Sequence, residues 1–196
     1  MASTARNHSV LIAGAAIHRP LLLKDVDAND WDDWRWGGNA RSTGPTIPSF
    51  AQFNSTGIYC WQFANDKELH FTDLQLPHDY AEDTELVPHI HFCATSTTRI
   101  TGTWTLEILS WLLPNAGTPE AKQTITYAFD VNPPTIGTMI LANFSANMAG
   151  TGRKVSSCAM ARLSLALSSG DLLALLGLDA HYQKDRLGSR QISSKE

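Results

Sequence analysis

The chain has 196 residues, 43% hydrophobic and 17% charged, enough for one domain with a core and too few for two ordinary domains joined by a linker. Charge is sparse against the ~25% usual in soluble chains, so disorder driven by self-repulsion is not expected. Lys and Arg number 15 against 19 Asp and Glu, a net charge of −4 with no basic cluster, which argues against nucleic acid as a direct partner because phosphate neutralisation supplies most of such affinity.

Near the N-terminus the apolar stretch 10–17 falls far short of the roughly 20 residues a spanning helix needs, so no membrane span is expected. The His18-Arg19-Pro20 that follows is a poor cleavage context for a secretory signal. Residues 1–56 are expected to form an irregular arm. Trp31, Trp34 and Trp36 are interspersed with Asp32, Asp33 and Arg35, and loop residues follow at Gly37-Gly38, Ser42-Thr43-Gly44-Pro45 and Pro48. Three tryptophans so close together are costly to leave wet. The arm is therefore expected to dock, on its own domain, on a sister subunit or on a larger assembly.

From Gly57 the hydrophobic period becomes two, and residues 57–196 are expected to form one β domain. Tyr59, Trp61 and Phe63 share a face of a first run that ends in Asn65-Asp66. Leu69, Phe71 and Asp73 alternate with His70, Thr72 and Leu74 in a second, and the two together read as a hairpin closed by Pro77. A third strand spans 86–95, with Ile90 and Phe92 facing one way and His89, His91 and Cys93 the other. The fourth, 101–113, places Trp104, Leu106 and Ile108 together. Runs 123–131, 138–145 and 154–167 add three more. Residues 172–182 also suit a helix by their leucine spacing, but the polar-apolar alternation of Asp179-Ala180-His181-Tyr182 favours a strand.

About eight antiparallel strands with no strong helical period between them predict an all-β fold, with a jelly-roll β-sandwich as the first choice. Several strands carry apolar residues on both faces. A sandwich buries only its inner face, so the second face predicts contact with copies of the same chain.

Cys60, Cys93 and Cys158 lie far apart with no CxxC pair and are expected to be buried thiols. The sharpest local feature is Leu76-Pro77-His78-Asp79-Tyr80 followed by Val87-Pro88-His89-Ile90-His91-Phe92. His89 and His91 stand about 6.6 Å apart along one strand on the same side, a spacing that β-barrel metal sites use. Cupin sites continue with a glutamate, whereas here Cys93-Ala94-Thr95-Ser96 follows, and the third ligand would have to be His70, His78 or His181. No metal or other cofactor is therefore expected, and hydrogen-bonding duty is the preferred role of these histidines. Pro88 is expected to open its strand, since a proline lacks the ladder donor.

Catalysis has little support. No serine sits in G-x-S-x-G, Gly150-Thr151-Gly152-Arg153 lacks the features of a phosphate loop, and Glu82-Asp83 and Asp32-Asp33 lie in loop-like stretches. The chain is read as a non-enzyme.

Taken together, Phe71-Thr72-Asp73-Leu74-Gln75-Leu76-Pro77-His78, Thr84, Pro88-His89-Ile90-His91-Phe92, Gly102-Thr103-Trp104, Asp179-Ala180-His181-Tyr182-Gln183-Lys184-Asp185 and Leu187-Gly188-Ser189-Arg190-Gln191 resemble a group of virion structural proteins of tailed bacteriophages. The likeness runs roughly over 31–191. It departs at Asp79-Tyr80-Ala81-Glu82-Asp83, where the group has a Lys-Glu-Gly run, and at Phe92, where an indole is common. The resemblance implies a jelly-roll capsid decoration or cement protein, made in the host bacterial cytoplasm, present on the capsid surface as a homotrimer and bound to the major capsid protein or another virion protein. Subunit or capsid contacts are expected from Trp31, Trp34, Trp36, His78 and Tyr80, and structural duty from Pro77, Pro88, His89, His91, Asp179 and His181. Alternatives are a receptor- or carbohydrate-binding virion appendage, or a cupin-like metalloprotein using His89 and His91.

Overall fold

The computed structural model describes residues 31–37, 46–114, 121–132, 134–169 and 171–185. Their strands are β1 (Trp31–Arg35), β2 (Ser49–Gln52), β3 (Tyr59–Phe63), β4 (Lys67–Gln75), β5 (Leu86–Ala94), β6 (Ile100–Leu112), β7 (Gln123–Val131), β8 (Met139–Asn143), β9 (Cys158–Ser169) and β10 (Leu173–Gln183). No helix occurs among the described residues, and the strands form two antiparallel sheets packed as a β-sandwich. One sheet has the order β2-β3-β10-β5-β8, with β1 also on β10, and the other has the order β4-β9-β6-β7.

Each strand's alternation sets its inner face. In β6, Ile100, Trp104, Leu106 and Ile108 are buried against Ala159, Ala161, Leu163 and Leu165 of β9 and Ile125 and Phe129 of β7. A bulge between Ile108 and Ser110 shifts the phase, so Trp111 returns to the core while Leu112 is exposed. A second shift between Phe71 and Leu74 turns Leu74 inward with Leu69 and Phe71, against the simple alternation expected there. Phe63 and Phe92 meet Trp104 edge-on at 5.0 and 5.8 Å, joining the two layers.

The structure corrects three expectations. The runs before and after Asn65-Asp66 are not a hairpin: β3 pairs with β2 and β10, β4 pairs with β9, and the turn carries the chain from one sheet to the other. Phe63 and Leu69 both enter the core, which is possible because the two strands face each other across the sandwich.

The arm, second, is not irregular throughout. Its residues 31–35 form β1, antiparallel to β10 from Asp179 to Gln183, and 49–52 form β2 on the sheet edge. Residues 1–30 lie outside the described part.

Third, the four-stranded sheet is apolar on its outer face only in part. That side carries Thr103, Thr105, Ser164 and an ion network, with Leu112 and Met160 exposed near one end, whereas more of the uncovered apolar side chains lie on the other sheet. Within that network Glu107 is buried and meets Lys122 Nζ at 2.6 Å and the Arg162 guanidinium, which also reaches Glu68 Oε2 at 3.4 Å. Burial raises the Glu107 pKa, but bonding to Lys122 and Arg162 outweighs it, so the folded value lies below the ordinary 4.5. Its contribution is present above pH 4.5 and is lost as pH falls through the folded value. Glu107→Gln should cost on the order of 1 kcal/mol at pH 7 and nothing at strongly acidic pH. Urea melts at the two pH values check this.

Pro88 is the third residue of β5 rather than its first, a small departure with a clear cause. β8 pairs with β5 only as far as His89, and beyond it Phe144 N–H reaches the Pro88 carbonyl at 3.3 Å. The proline thus falls just past the end of that ladder, where its missing donor is tolerated.

Candidate functional site

On the outer face of the larger sheet, register assembles a polar cluster. His89 of β5 lies opposite Asp179 of β10, Asp179 opposite Arg35 of β1, and His181 opposite Asp33. Because side chains alternate, His91 stands on the same face as His89, opposite Gly177, and the glycine leaves space beside the imidazole. Ile90 and Phe92, pointing the other way, are fully buried in the core, as the alternation predicts.

The cluster is shielded although it lies outside the sandwich core. His89 is 3% exposed and Asp179 6%, while His91 is half-buried. Asp179 Oδ1 sits 2.8 Å from His89 Nε2 and 3.3 Å from His91 Nε2. The ring of His89 lies 4.4 Å from that of His181 and 5.0 Å from that of His91, and His181 Nε2 is 3.0 Å from Asp33 Oδ1. Asp179 Oδ1, His91 Nε2 and His89 Nδ1 are buried without a hydrogen bond of acceptable geometry. Burial lowers the His89 pKa below its ordinary value, the Asp179 carboxylate opposing that shift and the His181 and His91 rings reinforcing it.

Two sets of groups lie close enough to ligate one ion, His89 with His91 and Asp179, and Asp33 with His89 and His181; in each set the donor atoms are within 4.8 Å of one another. A cleft of about 340 Å³ opens alongside, lined by His91, Asp179, Arg35, Trp36, Gly177 and Leu176 among others. It forms because β3 pairs with one end of β10, at Leu173–Leu175, and β1 with the other, leaving the bulged segment between them.

Of the three expected sources of a further imidazole, only His181 reaches the cluster. His70 is on the opposite sheet beside Glu68 at 3.3 Å, and His78 is exposed with Ser156 Oγ 3.4 Å from its Nε2. Asp179 supplies the carboxylate missing from the strand of His89 and His91. Asp33 and Arg35 were not anticipated at this place; pairing of β1 with β10 brings them there.

The expected contact residues separate. Trp34 and Trp36 are 7% and 3% exposed inside the chain's own core, Trp34 lying 5.1 Å from Trp36 and 6.3 Å from Trp111, whose other neighbour is the Arg153 guanidinium at 4.6 Å. Tyr80 is completely buried and donates to the Thr84 carbonyl at 2.5 Å. These three side chains are therefore unavailable as surface contacts, a correction that follows from intramolecular packing. Trp31 is 50% exposed and His78 is exposed.

Pro77 begins the loop that carries Tyr80, its carbonyl accepting from Tyr80 N–H at 3.1 Å. That loop meets the end of β10: Tyr182 donates to Asp79 Oδ1 at 2.9 Å, Asp185 N–H reaches the Asp79 carbonyl at 2.7 Å, and Lys184 bridges Asp32 at 2.9 Å and Asp79 at 3.3 Å. Burial and the Asp79 carboxylate push the Tyr182 phenol well above its usual range. Residues 179–185 therefore touch both the 77–80 loop and the strand of His89, although they are far apart in the chain.

Cys60 and Cys93 form a small second apolar cluster with Ala174, covered by Phe53, and burial pushes the Cys93 thiol up to about 11. Both are inert settings for a thiol. Cys158 is half-buried. Comparison with protein-family models, curated proteins and solved structures returned no match to this chain.

Proposed function

We propose that this chain is a non-enzymatic virion structural protein, a capsid decoration or cement subunit that assembles with copies of itself, as a trimer, on a phage head. The observation that carries the reading is an aromatic strip that runs out of the core. Phe63 is buried, Trp61 half-buried, and Tyr59 and Phe50 are 60% and 59% exposed, all on one face of the β2–β3 pair. Phe50 lies 5.0 Å from Trp61 and 6.1 Å from Tyr59, so the strip is packed and continuous. Covering the exposed parts of Phe50 and Tyr59 is worth about 1–2 kcal/mol each, a drive to associate.

A second apolar patch, Met139 and Leu141 of β8 with Leu176, lies toward the other edge of the same sheet. Two different patches at opposite edges suit head-to-tail contacts, which close into a ring when the rotation allows. The strand order also supports reading the sandwich as a jelly roll: β3-β10-β5-β8 faces β4-β9-β6-β7, so the first and last of these eight strands are neighbours, as in two nested Greek keys. A cement protein acts by binding the assembled lattice in preference to free subunits, so its contacts stabilise the mature shell selectively.

The direct test adds purified chain to heads assembled from the major capsid protein of its own phage and to the unassembled subunits. Sedimentation with heads alone, and a rise in their resistance to heat, is the expected result; binding to neither, together with glycan binding on an array, overturns it in favour of a receptor-binding appendage. Assembly of the chain itself is checked by light scattering. The combined variant Phe50→Ser and Tyr59→Ser should weaken self-association at least tenfold while keeping the thermal melt of the fold, and a parent chain that is already monomeric at micromolar concentration removes the trimer.

A further inference from the structure

We infer that His89, His91 and Asp179 form a binding site for one divalent first-row transition ion, with Zn²⁺ the natural probe. The three residues come from adjacent strands in the middle of a sheet, so ladder hydrogen bonds fix their spacing rather than a loop. Donor atoms around a tetrahedral ion bound at 2.0–2.1 Å lie about 3.4 Å apart. Asp179 Oδ1 already stands 2.8 Å from His89 Nε2 and 3.3 Å from His91 Nε2, and the three donors lie within 4.8 Å of one another, so side-chain adjustment without movement of the strands admits the ion.

Independent support comes from unmet polar demand. Asp179 is more than nine-tenths buried, and its Oδ1, like His91 Nε2, is shielded from solvent without a hydrogen bond of acceptable geometry. Buried polar atoms ordinarily find partners, and those that do not often mark an ion or a catalytic centre. Here Asp179 Oδ1 and His91 Nε2 face each other at 3.3 Å, as two ligands of one ion do. Two imidazoles and one carboxylate are a borderline donor set that suits zinc, cobalt, nickel or iron, whereas magnesium and calcium prefer all-oxygen cages.

His181 packs its ring 4.4 Å from that of His89 and is itself held by Asp33 at 3.0 Å, so the His89 ring is walled in on that side. His91 and Asp179 line the cleft, where a water can supply the fourth ligand. The site is on the outer face, so it differs from one enclosed between the sheets, and it stands whether or not the chain decorates a capsid.

The test uses the full chain, dialysed against a chelator and titrated with ZnCl₂ by calorimetry and with CoCl₂ by visible absorption. One ion per chain and a tetrahedral cobalt spectrum are expected. Asp179→Asn, which preserves shape, and His91→Gln, at a half-buried position, should each weaken binding at least tenfold and abolish that spectrum, whereas His78→Gln should change neither. A chelator-insensitive thermal melt of each variant establishes that it is folded, and His91→Gln keeps the test decisive if Asp179→Asn does not fold. The inference fails if neither ion binds stoichiometrically, if binding survives both substitutions, or if Asp33→Asn abolishes it while Asp179→Asn does not, which would move the ion to Asp33, His89 and His181.

Discussion

Replacing Trp34 by alanine should lower the unfolding free energy by about 3–5 kcal/mol, the usual cost of removing a buried indole and leaving its cavity. Against a total stability of about 5–15 kcal/mol that is a large fraction, and the variant should show it as an earlier denaturant midpoint with an unchanged slope. The indole stacks on Trp111 and meets Trp36 edge-on, so the neighbouring rings cannot collapse onto the space without giving up their own contacts. Trp31→Ala is the internal control. Its ring is half exposed and should matter within about 0.5 kcal/mol for folding. If Trp34→Ala left stability untouched while abolishing attachment to heads, the residue would belong to an intermolecular surface and the packing described here would be wrong.

Gly150→Ala should be the second severe change. An added Cβ would overlap the Thr84 carbonyl group and stand 2.8 Å from Tyr80 Oη. The first obstacle is backbone, which cannot swing aside as a long side chain can, so the 81–84 turn or the 149–152 turn must move. Such overpacking costs about 1–3 kcal/mol, and displacing Tyr80 also endangers its bond to Thr84, worth about 1 kcal/mol more. Gly152→Ala provides the comparison: it has a positive φ of 80° but open space, so only backbone strain of about 1 kcal/mol is expected. A Gly150→Ala protein that melts with the parent would show that the two turns do not approach as described. Gly150 thus owes its missing side chain to contact between turns, and Gly152 to its positive φ.

The runs of alternating Ile, Phe, Trp and Leu make the main strands legible in the sequence, because a period of two is a local property. Partnering is not local. Nothing between Phe63 and Leu69 told whether the turn at Asn65-Asp66 folds a strand beside its predecessor or across from it, since either arrangement places both residues inward. The bulges at Ser110 and between Phe71 and Leu74 were equally hidden, for a shift of phase is set by the neighbouring strand.

The polar cluster was half legible for the same reason. His89 and His91 were readable as one side of a strand, and Asp179 and His181 as one side of another. Their meeting depended on the register of β5 with β10, and the contribution of Asp33 depended on β1, whose tryptophans and acidic residues give little sign of pairing. The carboxylate that the strand of His89 lacks comes from the neighbouring strand. The Asp-x-His alternation near the C-terminus was the available signal. Surface exposure is likewise a tertiary property: apolar residues lie on both sides of β10, but Ala174 is covered by Phe53 from within the chain and Leu176 is exposed.

The position of β10 has a kinetic consequence. It is the strand to which β1, β3 and β5 all attach, and Trp31 is matched with Gln183. During synthesis β2–β3, β5–β8 and β1 therefore emerge as fragments of a sheet with no common spine, each presenting open edges, until the ribosome has delivered almost everything this structure describes. Closure over so long a contour is slow, and early release exposes those edges to other nascent chains. A chain stalled before Leu173 should be protease-sensitive and prone to aggregation, while one extended past Asp185 and clear of the exit tunnel can snap shut in a single late step.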